Sequence, residues 1–445
     1  MQRSYRTLWC LIALGYLVLA ANVPAQAEFP LRDGDVWVMA GDSITAQHLH
    51  SNYFEAFCFA RYPNLKFAFR NSGVGGHTIP STLARFDYDI AGWKPTVVSV
   101  ELGMNDQGGT PTDKFIANMG VMVERIRSIK ARPVVLSASP INNGDTMAQL
   151  GRNKRLSDYA NALRELAAKE KVPYADQFHA LVDVWGKNKP KEQLANSFVG
   201  LKLAAQDEAL PGVEHLRAFL AALEKSPPKL VSMQGDPVHP GPPGQVMMAA
   251  ALLKALGAEG FVSSVVIEGG KVAEAKGCKV DGLKAGADKI EFDRLDECLP
   301  MPIPIEARAV LPLCPAILEL SQYTLKVTGL KDGCYTLKIN GVVADSVTAK
   351  ELDKGLNLTA LGPVSDAKGL TPILAQGQAV LAAVAAKESL VDQWRALSKQ
   401  AHTGGAAADA KPQLAALAQK VEQADAKIRE AARPKNLHFE ITASP

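Results

Sequence analysis

From residue 35 to residue 257 the chain alternates short apolar runs with longer stretches in which apolar positions recur every three or four residues. The runs at 36–40, 66–69, 96–102, 133–138 and 172–175 have the length and the Val, Leu and Phe content of buried strands. Between the third and fourth, Phe115, Met119, Met122, Ile126 and Ile129 share one helical face, with Glu124, Arg125 and Arg127 off it. A last helix is predicted over 242–256, entered through Pro242 and Pro243 and ended by Gly257. Strands alternating with helices predict an α/β fold, a parallel five-stranded sheet covered by helices on both faces. Ligands bind beyond the carboxyl ends of such strands, so chemically able residues should cluster just after them.

Beyond Gly260 the period shortens to two. Tyr323, Leu325 and Val327 alternate with polar residues, as do Tyr335, Leu337 and Ile339. Asp332-Gly333 between the two runs predicts a hairpin, and Asn340-Gly341 marks a further turn. A small β-sandwich is the natural reading. From Thr371 onward Ala, Leu, Gln and Lys dominate, predicting two helices separated at Thr403-Gly404-Gly405, with Leu414, Leu417, Val421 and Ile428 on one stripe. That tail is expected to pack on a neighbouring surface or on a second copy. The expected division is a signal peptide at 1–27, a catalytic domain at 28–260, a β-rich module at 261–365 and a helical region at 366–445. Residues 190–235 have weaker periodicity and are read either as a lid or as packing.

Composition narrows the partners. Lys and Arg number 49 against 46 Asp and Glu, so nothing marks a nucleic-acid surface. Arg3 and Arg6, the apolar run 8–20 and Ala25-Gln26-Ala27 form a cleavable export signal. The run is shorter than the ~20 residues a spanning helix needs. A mature protein starting at Glu28, periplasmic or secreted and without an integral membrane segment, is expected. In such a compartment Cys278, Cys298, Cys314 and Cys334 are expected to form two disulfides, with Cys58 left over.

The loops after the strand runs carry the chemistry. Ser43 follows the first run, in Gly41-Asp42-Ser43-Ile44, and a serine hydroxyl needs a base within reach to become nucleophilic. His239 is the candidate base, and Asp236, three residues earlier, can fix its tautomer and stabilise its charged form. A tetrahedral intermediate needs donors for its oxyanion. Gly76, in Asn71-Ser72-Gly73-Val74-Gly75-Gly76, can bring its N–H close because it lacks a Cβ. Asn105, in Gly103-Met104-Asn105-Asp106, offers an amide, and the Ser43 N–H is a third donor.

Those four blocks, in that order, resemble the GDSL or SGNH hydrolase superfamily over residues 35–257. The resemblance implies a three-layer α/β/α sandwich of flavodoxin-like type, with Ser43 as nucleophile, Asp236 and His239 completing the triad, and Gly76 and Asn105 as oxyanion donors. No cofactor or metal is implied. A hydrolytic metal held by His48, His50, His77, His239 and Asp42 is the rival chemistry, but no helix-spaced ligand pair or carboxylate cluster accompanies them. These histidines are expected to line the pocket beside Ser43. The expected activity is hydrolysis of carboxylic esters through an acyl-enzyme, removing short acyl groups, chiefly acetyl, from carbohydrate. A lipase or lysophospholipase is the alternative substrate class, and a non-catalytic polysaccharide-binding protein the alternative from another class.

Overall fold

A computed structural model describes residues 29–187, 201, 204–210, 212–225, 236–286, 288–363, 369–404 and 407–444. The expected signal peptide therefore lies outside the described residues, as does most of the segment 190–235. The described helix in that segment, Val213–Lys225, packs with Leu201 and Leu313.

The first five strands, β1 (Asp35–Gly41), β2 (Phe67–Gly73), β3 (Val97–Glu101), β4 (Arg132–Leu136) and β5 (Tyr174–Ala175), form one sheet in the order β2-β1-β3-β4-β5. All four pairings are parallel. Alternate residues divide between the two faces, as the pleat requires. Trp37 and Met39 enter a core with the helices His50–Arg61, Gln177–Lys187 and Pro242–Ala255, while Val38 and Ala40 enter one with Ile79–Ala84, Thr112–Ser128 and Lys154–Glu170. The expected α/β sheet with flanking helices is thus present. β2 runs four residues beyond its apolar stretch, because Arg70, Asn71 and Ser72 are buried against partners rather than solvent.

Two further sheets follow. One is built from β13 (Leu356–Asn357), β10 (Gln322–Val327), β6 (Phe261–Glu268) and β7 (Lys271–Lys276), in that order. The other has the order β12 (Val342–Thr348), β11 (Cys334–Ile339), β14 (Leu437–Ala443), β9 (Lys289–Asp296) and β8 (Cys278–Ala285). They share one core, in which Tyr323, Leu325 and Val327 of one sheet meet Leu337, Ile339, Phe292 and Phe439 of the other.

Three expectations are corrected here. The predicted hairpin across Asp332-Gly333 does not form: β10 pairs with β6 and β13, while β11 pairs with β12 and β14. Alternation specifies a face that must be buried, and both runs bury theirs from opposite sheets. The Asn340-Gly341 turn does form, joining β11 to β12 with φ of 48° and 78° at its two residues. The 366–445 region is not helical throughout, since β14 lies there and sits between β11 and β9. The four cysteines make no disulfide, and with Cys58 all are free. The Cys278 and Cys298 thiols point at the carbonyls of Ser264 and Val262, and Cys334 is exposed at the start of β11, three strands away from the β8 that Cys278 begins.

The helices Pro372–Thr403 and Ala407–Ala431 return to the first domain and cover β2, the edge strand of its sheet. An uncovered edge would offer unpaired carbonyls to other chains. Here Arg429 donates to the carbonyls of Leu65 and Phe67, Lys387 to that of Phe69, and Arg395 to that of Gly73. Trp394 also stacks on Trp93, with ring centroids 3.7 Å apart. Among the described residues no helix is long and apolar enough to cross a membrane.

Candidate active site

The sheet order reverses direction between β1 and β3, and the crevice beyond their carboxyl ends is where such folds bind ligands. β1 ends at Gly41, where a Cβ would collide with the Thr45 side chain and come within 2.9 Å of the Glu101 carbonyl. Only glycine lets the chain turn this tightly into the helix Ser43–Ala46. Asp42 caps that helix, its Oδ1 accepting from the Ile44 N–H at 2.9 Å. Ser43 is therefore the first residue of a capped turn, half-buried at the strand end.

His239 approaches from the loop before the helix Pro242–Ala255. Its Nε2 lies 2.7 Å from Ser43 Oγ and its Nδ1 lies 2.7 Å from Asp236 Oδ2. The other oxygen of Asp236 accepts from the Val238 and His239 N–H groups at 2.7 and 2.8 Å. Exclusion from water works against the Asp236 charge, but these donors outweigh it and hold its carboxyl below the usual range. With an Nδ1 proton donated to that carboxylate, Nε2 is left to accept the Ser43 proton. The Asn142 N–H donates to the Pro237 carbonyl at 2.7 Å, tying the loop after β4 to this segment.

Opposite stand the oxyanion candidates. Gly76 has φ of +74°, which an L side chain rarely adopts, and lies in the turn closed by the His77 N–H on the Val74 carbonyl. A Cβ at Gly75 would stand 3.9 Å from Ser43 Cβ, so this turn runs beside Ser43. Asn105 Nδ2 donates to the His77 carbonyl at 3.0 Å and, at a longer 3.3 Å, to Asp42 Oδ2. All five candidate residues, Ser43, Gly76, Asn105, Asp236 and His239, thus stand on loops at one edge of the sheet.

Of the other histidines, His77 belongs to this turn, while His48 and His50 are held by partners of their own. His48 pairs with Glu388 and Asp392 of the long C-terminal helix, and burial is outweighed by those carboxylates, so its pKa is raised to about 9. His50 is buried against Gln245, and burial lowers its pKa to about 4. His77 accepts from Arg85 Nε at 3.1 Å. Among the described residues these histidines and Asp42 form no cluster of metal ligands.

Several residues of the site carry no motif. Glu101, at the end of β3, is fully buried and accepts from Thr45 Oγ1 at 3.0 Å. Burial, then the neighbouring Asp42, pushes its pKa well up, and burial raises that of Asp42 to about 6. Arg85 donates to the carbonyls of Gly41 and Ser72, and Asp89 joins it in an ion pair. The available signal was three charged residues just after Ile79–Ala84, namely Arg85, Asp87 and Asp89, which read equally as a solvated helix end.

Comparison with known proteins agrees with this geometry. Residues 39–247 match the GDSL-like Lipase/Acylhydrolase family. An uncharacterized lipoprotein, YqeF, of Bacillus subtilis (strain 168) is 24% identical over 149 residues, and the match spans 28% of this chain and 61% of that protein. Among solved structures, BT4096, a gut microbial diltiazem-metabolizing enzyme, shares the fold with a TM-score of 0.67 at 22% identity, covering 94% of this chain and all of that one. Axe2, an acetylxylan esterase from Geobacillus stearothermophilus, aligns at 18% identity with a TM-score of 0.37, over 51% of this chain and 96% of its own. With the four blocks in order on a parallel sheet of this topology, residues 39–247 match the GDSL-like Lipase/Acylhydrolase family and carry the arrangement of an SGNH-type ester hydrolase.

Proposed function

We propose that the chain is exported and removes short acyl groups, chiefly acetyl, from carbohydrate, through an acyl-enzyme on Ser43. The observation that carries the chemistry is the 2.7 Å approach of His239 Nε2 to Ser43 Oγ, with Asp236 behind the imidazole. In the first half-reaction the Ser43 proton passes to His239 Nε2 while Oγ attacks the ester carbonyl carbon. The carbonyl oxygen becomes negative and is received by the N–H groups of Ser43 and Gly76 and by Asn105 Nδ2. Neither of those backbone N–H groups has another partner among the described residues. The Asn105 amide is oriented by its bond to the His77 carbonyl, and the longer bond to Asp42 is the one it gives up to the oxyanion. Collapse expels the alcohol, which takes the proton from His239. Water then repeats the sequence on the acyl-enzyme, releasing the acid and restoring Ser43.

Export rests on Arg3, Arg6, the apolar run 8–20 and the Ala25-Gln26-Ala27 cleavage pattern. An extracellular ester fits that address, and the side chains around Ser43, namely Asp42, Asn105, Asp236 and His239, are polar, which suits a small acyl group and a hydroxyl-rich leaving group. Tyr323 and Tyr335 are both buried in the β-sandwich core, so any carbohydrate contact made by that module uses other residues.

The test is hydrolysis of a chromogenic acetate ester by protein starting at Glu28, beside its Ser43→Ala variant and a series of longer acyl chains. Activity lost with Ser43 and falling with chain length supports the reading, as does acetate release from an acetylated oligosaccharide. Rates that rise with chain length would move the substrate to lipid esters, and a Ser43→Ala variant as active as the parent would overturn the mechanism.

A further inference from the structure

We propose that Arg395, on the C-terminal helix Pro372–Thr403, is a positioning residue for the oxyanion turn, so that the C-terminal helices are part of the catalytic apparatus rather than an appendage. The inference rests on the Ser43 hydrolase reading above. It starts from where the guanidinium lies, 322 residues from its carbonyl partner in sequence.

Arg395 Nη2 donates to the Gly73 carbonyl at 2.9 Å, and Nη2 and Nε donate to the two oxygens of Asp89 at 3.0 and 2.6 Å. Gly73 is the last residue of β2, and the turn holding Gly76 begins with the next one, Val74. A Cβ on Gly73 would collide with the Ala46 backbone, so this point also abuts the helix that carries Ser43. Asp89 passes the constraint on: it pairs with Arg85, whose Nη2 donates to the carbonyls of Gly41 and Ser72 at 3.2 and 2.8 Å and whose Nε donates to His77 Nδ1. His77 in turn offers its carbonyl to Asn105. Two planar forks sharing one carboxylate thus hold the ends of β1 and β2, the strands from which Ser43 and the turn holding Gly76 leave the sheet. A bidentate guanidinium fixes direction as well as distance, which a lysine ammonium does not.

The same strand provides an internal control. Arg429, on the next helix, donates to the Leu65 and Phe67 carbonyls at the other end of β2, far along the strand from Gly73. It anchors the helices to the sheet without touching the turn. If cation contacts only dock the helices, the two arginines are equivalent. If Arg395 sets the donors, they differ.

The experiment compares Arg395→Ala, Arg395→Lys and Arg429→Ala in the full chain from Glu28, using kcat and KM on the acetate ester, affinity for a boronic acid that forms a tetrahedral adduct on Ser43, and hydrogen exchange over residues 73–78. Arg395→Ala is expected to lower kcat about tenfold or more with KM within twofold, to weaken the boronate in parallel and to lose amide protection in the turn. Arg395→Lys should recover only part of this. Arg429→Ala should lower the melting temperature while leaving kcat within twofold. Equal effects of the two arginines on kcat, or an Arg395→Ala enzyme with unchanged kcat, boronate affinity and exchange, would overturn the role. Should Arg395→Ala prove too unstable to purify, Arg395→Lys alone decides, because a merely structural contact would leave its kcat and exchange at the wild-type level. Hydrolysis by the parent that does not depend on Ser43 would instead overturn the esterase reading, and this role with it.

Discussion

At the scale of single residues, Ser43 stands beside two buried acids, Asp42 and Glu101. Asp42 caps the Ser43 helix, and Glu101 lies beneath it, one carboxyl oxygen bonded to Thr45 and the other, among the described residues, without a hydrogen bond. Burial first, and Asp42 second, raises the Glu101 pKa well above the ordinary 4.5. The folded state therefore holds a proton that the unfolded chain releases near 4.5, and Asp42, raised to about 6, acts in the same sense. Where the folded state binds more protons, stability falls as pH rises. That loss begins near the unfolded values and continues up to the folded ones. Glu101→Gln keeps the shape and the acceptor for Thr45 but has no proton to lose. It is expected to flatten the decline between about pH 5 and pH 8, so that the variant gains on the parent as pH rises. Urea unfolding at both pH values reads this out, and a wild-type-minus-variant difference that is constant across the range would show Glu101 to be ordinary. Ser43, Asn105, Asp236 and His239 were legible in the sequence because each needs its residue type within a short block. Glu101, Arg85 and Arg395 were not, because a charged residue in sequence is usually solvated, and only the fold shows that these three are enclosed.

At the scale of elements, periodicity located all five strands of the parallel sheet, since each is a short apolar run bounded by polar turns. It failed where burial is polar. The last residues of β2, Arg70 to Gly73, look like a loop, yet they are a strand paired with β1 and covered by the C-terminal helices. The hairpin error has the same origin, because a strand's own pattern does not name its neighbour. The covering of β2 centres on Lys387, which is fully enclosed and bonded to both oxygens of Glu55 at 2.6 and 2.7 Å, to Glu388 and to the Phe69 carbonyl. Breaking such a pair by removing one partner leaves a buried charge uncompensated, typically at a cost of about 3 to 5 kcal/mol. Lys387→Met is therefore expected to be destabilised by that order, and Lys387→Met with Glu55→Gln by clearly less than the sum of the two single changes. Additive losses in denaturant unfolding would mean that Lys387 is held by packing alone.

At the scale of the whole molecule, the order of the chain does not match the order of its layers. After leaving the parallel sheet the chain builds most of a β-sandwich, returns as two helices to cover β2, and only then supplies β14 to the sandwich. β14 is the central strand of the five, bonded to β9 on one side and β11 on the other, and its Phe439 ring stacks on Phe292 with centroids 5.1 Å apart. Without it, β8 with β9 and β11 with β12 would be two separate hairpins, a form only marginally stable alone. Composition points to a helical tail because 79 residues, 358–436, separate this strand from the last residue of β13 and alanine-rich helix fills most of the interval; the pairing is long-range and leaves no local mark. A chain ended after Pro434 is expected to keep both C-terminal helices in sequence while losing the sandwich. Limited proteolysis should then cut between β8 and β12, and because Arg61 of the first domain donates to the Leu320 carbonyl and Leu299 to the Ala60 carbonyl, thermal unfolding of the parallel-sheet domain should also move to lower temperature. Ester hydrolysis that survives this truncation with an unchanged melting temperature would show that the sandwich is independent of the catalytic domain, and that the interlocking of the two is not what stabilises the site.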